Sequence, residues 1–234
     1  MKNKKSVAII LSAGVGSRMN SDIPKQYIEL MGKPIIYYTI KAFEESNVDG
    51  IVLVCANEYI DYCKNDIVKK YGFKKVIDVV EGGSERYESV YKGLKVCDAG
   101  VVLVHDGARA CIGVDVINKN IEEAFAKGAV VTGVKSKDTI KVSDDNGIIV
   151  NTTNRANTWI VQTPQTFTMD VLVEAYERMM NDTNRGSITD DSMVMENYGN
   201  ISVQMIEGSY ENIKITTPED LLVAENFLKS KIEV

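Results

Sequence analysis

Histidine is almost missing from this chain of 234 residues, occurring once, at His105. Cysteine is sparse too: Cys55, Cys63, Cys97 and Cys111 show no C-x-x-C spacing. A structural zinc site therefore lacks ligands, and the thiols read as reduced and partly buried. Basic residues are outnumbered, 27 Lys and Arg against 33 Asp and Glu, for a net charge of -6. That balance argues against a duplex-binding surface but leaves room for a local basic pocket. No apolar run approaches the length of a membrane span. Met1 to Lys5 ahead of Ser6 to Ala13 mimics a signal peptide weakly. The apolar part is short, however, and Arg18 and Asp22 follow at once. The chain reads as cytoplasmic, with no nucleic-acid or membrane partner. It has no internal repeat, low-complexity tract or linker, so one domain over residues 1–234 is expected.

What is present is a rhythm of strands and helices. Apolar strand-like runs fall at Val7–Leu11, Gly50–Cys55, Val76–Val80, Gly100–Val104 and Ala129–Val134. Helical spacing falls between them at Ile35–Glu44, Tyr59–Tyr71, Ser84–Val96 and Val114–Ala126. Gly72 and Gly128 stand where helix C-caps belong. The pattern predicts an α/β fold, a mostly parallel sheet with helices on both faces. The rhythm then breaks. Thr139–Val142 and Ile148–Asn151 flank Asp144-Asp145-Asn146-Gly147 as a β-hairpin, with Trp159–Gln162 a further extended piece. This excursion, roughly 138–163, reads as an arm, a lid or a dimer contact. Helices are expected at Met169–Met180, Asp190–Tyr198 and Pro218–Lys229, the last with Thr217 as N-cap. Strands are expected at Val203–Ile206 and Ile213–Ile215.

Chemistry concentrates at the predicted strand ends. Val7–Leu11 runs into Ser12-Ala13-Gly14-Val15-Gly16-Ser17, and Arg18 and Lys25 put two cations beside that loop. Backbone N–H groups of such a loop, with two cations, suit a polyphosphate. The run is neither a P-loop nor a dinucleotide fingerprint, whose third glycine is here Met19. A ligand-free turn is the plain alternative. Glu81-Gly82-Gly83-Ser84-Glu85-Arg86-Tyr87-Glu88-Ser89-Val90 opens a helix after the third strand. Gly82 and Gly83 let backbone approach a flat base, and Ser84 and Ser89 offer hydrogen bonds; a simple turn capped by Ser84 is the alternative. Val104-His105-Asp106-Gly107-Ala108-Arg109 ends the fourth strand. Asp106 there can meet a metal–phosphate complex or a sugar hydroxyl, and Arg109 a phosphate, unless the two form only a surface pair. His105 reads as packing. Lys135 to Lys141, with Asn154-Arg155 and Gln162-Thr163-Pro164-Gln165, puts polar side chains along the arm. Ser187-Ile188-Thr189-Asp190-Asp191 reads as a helix start capped by Thr189 or Asp190. Lys214 lies in an apolar stretch, an unusual place for an ammonium unless an anion meets it.

In this order the segments LSAGVGSRM, PKQY, EGGSERYESV, VHDGAR, KDTIK, QTPQTF, TDD and NIKITTPEDL resemble the 2-C-methyl-D-erythritol 4-phosphate cytidylyltransferases of the non-mevalonate isoprenoid pathway. The likeness runs from Ala8 to about Leu228. It implies a Rossmann-like sheet and a homodimer whose arm reaches into the partner subunit. It implies transfer of CMP from CTP, with Mg²⁺, to a sugar-alcohol phosphate, releasing pyrophosphate. By position Arg18 and Lys25 would stabilise charge at the α-phosphorus, and Lys214 and Arg155 would hold the attacking phosphate. Ala13, Gly14, Gly16, Lys25, Gly82, Ser84, Ser89 and Asp106 would receive the nucleotide. Asp106, Arg109, Thr139, Arg155, Thr163, Thr189 and Lys214 would surround the acceptor, with Asp106 the candidate metal ligand. Such a reaction needs no general base, because the nucleophile is already an oxyanion; it needs charge neutralisation and alignment.

Two positions depart from the pattern: Ala110 stands where proline is usual, and Asn154 where aspartate is frequent. Neither removes a charge that the scheme needs. The nearest rival is ribitol-5-phosphate cytidylyltransferase, which typically carries bulkier residues between the Asp and Arg matched here by Asp106 and Arg109. An NAD-dependent oxidoreductase is disfavoured by Met19 and by the cation pair. A non-catalytic nucleotide-binding regulator is disfavoured by Arg18, Lys25, Arg155 and Lys214 occurring together.

Overall fold

Apolar side chains that follow one another along a strand must go to opposite faces of its sheet. Strand β1, Ser6–Ser12, does this in the computed structural model, which describes residues 4–14, 19 and 23–232. Ala8 and Ile10 enter one core, Val7 and Ile9 the other. A strand buried on both faces needs helices on both sides. The next elements are β2 (Glu29–Leu30), β3 (Lys33–Pro34), α1 (Ile35–Glu45), β4 (Gly50–Cys55), α2 (Ile60–Tyr62), β5 (Val76–Glu81), α3 (Arg86–Leu94), β6 (Val101–Asp106) and α4 (Val114–Lys127). Then come β7 (Ala129–Lys135), β8 (Lys141–Ser143), β9 (Ile149–Thr152), β10 (Trp159–Thr168), α5 (Met169–Asn181), α6 (Asp191–Tyr198), β11 (Gln204–Glu207) and α7 (Pro218–Ile232).

Seven strands form one sheet in the order β11-β7-β10-β6-β1-β4-β5. Among the described residues its pairings are parallel except at β10, which runs antiparallel to β6 and β7. On one face Ile36, Ile40 and Phe43 of α1 and Ile117 and Ile121 of α4 pack on the sheet. On the other, Val90 and Leu94 of α3, Leu172 and Tyr176 of α5 and Val194 of α6 do so. A third cluster seats Ala224 and Leu228 of α7 against Ile35, Ala110 and Ile215. The expected Rossmann-like α/β architecture is therefore present. The order puts β6, β1, β4 and β5 side by side, so their C-terminal ends make one edge, where open α/β sheets take ligands.

The arm is a separate two-stranded hairpin of β8 and β9. Its turn is closed by Asp144, whose carboxylate accepts from the backbone N–H groups of Asn146 at 3.0 Å and Ile148 at 2.9 Å. Gly147 takes φ +80° there, open to glycine without cost.

Four expectations need correction. Ile213–Ile215 is not a strand; Ile215 N–H meets the Ala108 carbonyl at 2.9 Å, so this segment is a strap across the strand ends. The stretch expected as one helix over Tyr59–Tyr71 is the short α2 continued by a π-helical run, Cys63–Lys69. Helix α3 starts at Arg86 and not at Ser84; its N-cap is Glu85, in a reciprocal capping box with Glu88. The extended piece expected at Trp159–Gln162 runs on to Thr168 as a central strand of the sheet.

Candidate active site

Strand ends and one strap build the site. A cavity of about 350 Å³ opens at the C-terminal edge of β1, β5 and β6. Its walls include Ala13 and Gly14 after β1, Lys25 and Gln26, Gly83 to Arg86 after β5, Asp106 to Ala108, and Lys214 and Thr216 of the strap. A second depression of about 630 Å³ shares Ala13, Gly83 and Ser84 and continues past Gly82, Asn57 and Tyr91.

The glycine loop is held from behind. The Gln26 side-chain amide donates to the Ser12 carbonyl and, at 3.0 Å, to that of Gly14. Lys25 Nζ donates to the Ile215 carbonyl at 2.8 Å, tying the loop side of the cavity to the strap. Gly82 leaves no room for a side chain: a Cβ there would stand 2.6 Å from the Cβ of Ala13 and 2.9 Å from Ser89 Oγ. Ser89 Oγ accepts from Gly83 N–H at 3.0 Å and donates to the Glu85 carbonyl at 3.2 Å. Ser84 Oγ donates to Glu88 Oε2 at 2.7 Å.

Asp106 is the electrostatic centre. Lys214 Nζ lies 2.9 Å from its Oδ2, Arg109 Nε 3.6 Å from the same oxygen, and Arg86 Nε 3.6 Å from Oδ1. Burial would raise its pKa, but Arg86, Lys214 and Arg109 outweigh burial and hold the carboxyl well below the usual range. Arg86 meets a second carboxylate, with NH2 2.7 Å from Asp191 Oδ2. Burial works against the guanidinium charge, but Asp191 and Asp106 hold its pKa above an already high value.

Behind this cluster lies a buried polar layer. Thr163 Oγ1 accepts from Asp106 N–H at 3.0 Å and pairs with His105 Nδ1 at 3.1 Å. Asn212 is fully buried; its carbonyl takes a hydrogen bond from Arg109 NH1 at 2.7 Å, and its amide donates to the Thr163 carbonyl at 2.8 Å. Burial pushes the His105 imidazole down to about 3, so it is neutral near pH 7. It packs 5.0 Å from the Phe43 ring, in keeping with a packing role.

A sequence profile of the 2-C-methyl-D-erythritol 4-phosphate cytidylyltransferase family matches residues 6–230. The chain belongs to this family. A protein of that name from Lachnospira eligens is 48% identical over 226 residues, covering 96% of this chain and 99% of its own. One from Alkaliphilus oremlandii is 47% identical over 232 residues, 98% of this chain and 97% of its own. The crystal structure of 4-diphosphocytidyl-2C-methyl-D-erythritol synthase from Anaerococcus prevotii matches with TM-score 0.84 at 33% identity, over 97% of this chain and 100% of that one. That of 2-C-methyl-D-erythritol 4-phosphate cytidylyltransferase from Francisella tularensis matches with TM-score 0.78 at 32% identity, over 95% and 99%.

For a cytidylyltransferase pocket, the residues singled out from sequence divide into three groups. Ala13, Gly14, Lys25, Ser84, Ser89, Asp106 and Lys214 line the first cavity, and Gly82 the second. Arg109 and Thr163 are buried one layer behind the wall. Thr139 and Arg155 are exposed on the arm, and neither borders the cavities of this single chain. Thr189 is exposed beside α6, its hydroxyl 3.0 Å from Met193 Sδ. Gly16 and Arg18 lie outside the described residues. Asn154 caps the turn carrying Arg155, accepting from Ala156 N–H at 3.0 Å, which an amide oxygen does as well as a carboxylate. Ala110 is buried in the α7 cluster.

Sequence reasoning passed over Gln26, Arg86, Asn212 and Asp191. All four stand within segments singled out from sequence, and a basic residue opening a helix beside two glycines is an available signal for Arg86. Nothing in the order of residues links Arg86 to Asp191, which is 105 positions away.

Proposed function

We propose that this enzyme transfers CMP from CTP to 2-C-methyl-D-erythritol 4-phosphate, releasing pyrophosphate, as a step toward isoprenoid precursors. The observation that carries the reading is the cavity at the strand ends, where Arg86 and Lys214 flank the ionised Asp106 carboxylate and Lys25 lines the same wall, in a chain of this family. Two anions must be brought together there against their mutual repulsion, and fixed cations lower that cost. The nucleotide lies along Ala13, Gly14, Gly82, Ser84 and Ser89. The Gly82 backbone and the Ser89 hydroxyl face the base and ribose, and Lys25 and Arg18 meet the phosphates. Lys214, Asp106 and Arg109 define the acceptor end. The phosphate oxyanion of the acceptor attacks the α-phosphorus in line, and the P–O bond to pyrophosphate breaks.

The residues present suit a metal that arrives on the nucleotide. Asp106 is the one strand-end carboxylate on the first cavity's wall and already meets three cations, and the described residues contain no cluster of three ligating side chains. Asp106 would hold Mg²⁺ together with phosphate oxygens, and the bound ion would neutralise phosphate charge.

The reading includes a cytoplasmic homodimer in which the arm of one subunit, carrying Thr139 and Arg155, completes the site of the other. The exposure of Ile148 at 64% and Val150 at 63% along the hairpin supports it, since such a row is usually covered. Among the described residues no helix is long and apolar enough to cross a membrane. Pyrophosphate release with CTP and Mg²⁺ tests the activity, with 2-C-methyl-D-erythritol 4-phosphate run beside D-ribitol 5-phosphate. Release with the first acceptor alone is expected. Release with the second alone would keep the CTP chemistry and overturn the acceptor.

A further inference from the structure

Two carboxylates share the Arg86 guanidinium, and they hold it unequally. Asp191 Oδ2 takes NH2 at 2.7 Å, whereas Asp106 Oδ1 lies 3.6 Å from Nε, beyond hydrogen-bond reach. An arginine facing one carboxylate tends to close on it as a two-pronged pair at about 2.7–2.9 Å. Here Asp191 occupies the guanidinium. Asp191 is fully buried, and its other oxygen accepts from the Tyr176 hydroxyl at 2.6 Å. Tyr176 is itself fully buried on α5.

We infer that Asp191 and Tyr176 are positioning residues for the acceptor end of the site, acting through Arg86. They restrain the guanidinium so that it lends charge to Asp106 without closing on it. Asp106 Oδ1 then keeps a lone pair for a hydroxyl of the polyol acceptor. This rests on the reading that a polyol phosphate meets Asp106. Asp191 and Tyr176 line neither cavity, so neither touches substrate. A purely structural duty for Asp191 is weakened by its neighbours. The start of α6 is already held by Asp190, which accepts from Met193 N–H at 2.9 Å, and by Gln165, which accepts from Ser192 N–H at 2.9 Å.

The test is steady-state pyrophosphate release by wild type, Tyr176→Phe and Asp191→Asn, with each substrate varied in turn. Tyr176→Phe removes one hydroxyl and keeps the ring packing. It is expected to raise the acceptor KM roughly tenfold, the effect of one hydrogen bond to a charged group, while the CTP KM stays within about twofold. Asp191→Asn should raise the acceptor KM further, because Arg86 is then free to close on Asp106. Equal rises in both KM values, or no rise in Tyr176→Phe, overturn the inference. Should Asp191→Asn fail to fold, Tyr176→Phe decides alone. Failure of the functional reading is separate: it shows as wild type that releases no pyrophosphate with the acceptor.

Discussion

Lys214 Nζ stands 2.9 Å from Asp106 Oδ2, across the gap between a strand end and the strap that crosses it. The ammonium is well placed to exchange that carboxylate for an incoming phosphate, because Arg86 and Arg109 still hold Asp106 ionised when Lys214 leaves. Lys214→Ala should therefore cut kcat/KM for the acceptor by about 10²–10³, the scale of one lost transition-state donor. CTP binding by calorimetry should change little. A loss confined to CTP affinity would count against the assignment.

The close backbone approach at Gly82 gives a second expectation. A methyl group there meets Ala13 Cβ at 2.6 Å and Ser89 Oγ at 2.9 Å, so one of the two walls has to move. Gly82→Ala should lower stability by about 1–3 kcal/mol, as overpacking does. It should also weaken CTP binding more than acceptor binding. Denaturant midpoints and CTP titrations of the folded variant check both halves; unchanged CTP affinity would move the base elsewhere.

Much of this architecture is legible from the chain because buried parallel strands are written as unbroken apolar runs, as in Gly50–Cys55. The second half of β10 hides from such a reading. Its Thr163, Pro164, Gln165 and Thr166 look like a loop, yet they are buried in the middle of the sheet. Their polar atoms are satisfied by distant groups: Thr163 by His105, Gln165 by Asp190, Thr166 by Asn120. Only the fold brings those partners together. The site behaves likewise. Lys214 announces itself as an ammonium in an apolar stretch, whereas the Arg86–Asp191 pair has no local signature.

Lys25 leads to a kinetic expectation. Its ammonium borders the cavity beside the glycine loop and is anchored at 2.8 Å to the Ile215 carbonyl, so it is positioned before substrate arrives. In the proposed reaction its target is the charge that grows at the α-phosphorus. Lys25→Ala should slow turnover far more than it weakens CTP binding, as single-turnover rates and CTP titration would show. Loss of binding alone, with kcat kept, would remove it from the chemical step.

His105 gives a pH dependence whose sign is fixed by burial. Its folded pKa lies near 3, below the unfolded value of about 6.5. Between those values the unfolded chain binds the extra proton, so stability falls as pH drops, by up to about 1.4 kcal/mol per unit. Asp106 adds in the same direction at lower pH, since its depressed pKa means stability present above the usual carboxylate range and lost below it. As the chain holds one histidine, a single imidazole resonance reports on it. That resonance should not titrate between pH 8 and 5, and His105→Gln should flatten the pH dependence of the urea midpoint. A titration centred near 6.5 would show an exposed ring.

The arm supplies the last expectation. Among the described residues the Arg155 guanidinium donates to the Lys137 carbonyl at 3.5 Å, at the base of its own arm, and it does not border the strand-end cavity that its charge would serve. If the hairpin of one subunit completes the site of the other, two defects on different chains can be separated. In a heterodimer of Arg155→Ala and Lys25→Ala chains, one of the two sites receives an intact arm from the Lys25→Ala subunit and an intact Lys25 from the Arg155→Ala subunit. The other site receives both defects. Mixing two nearly inactive homodimers should then restore activity toward half that of wild type in the heterodimer fraction. Confirmed heterodimers with no recovery would place Arg155 in the service of its own subunit or of neither.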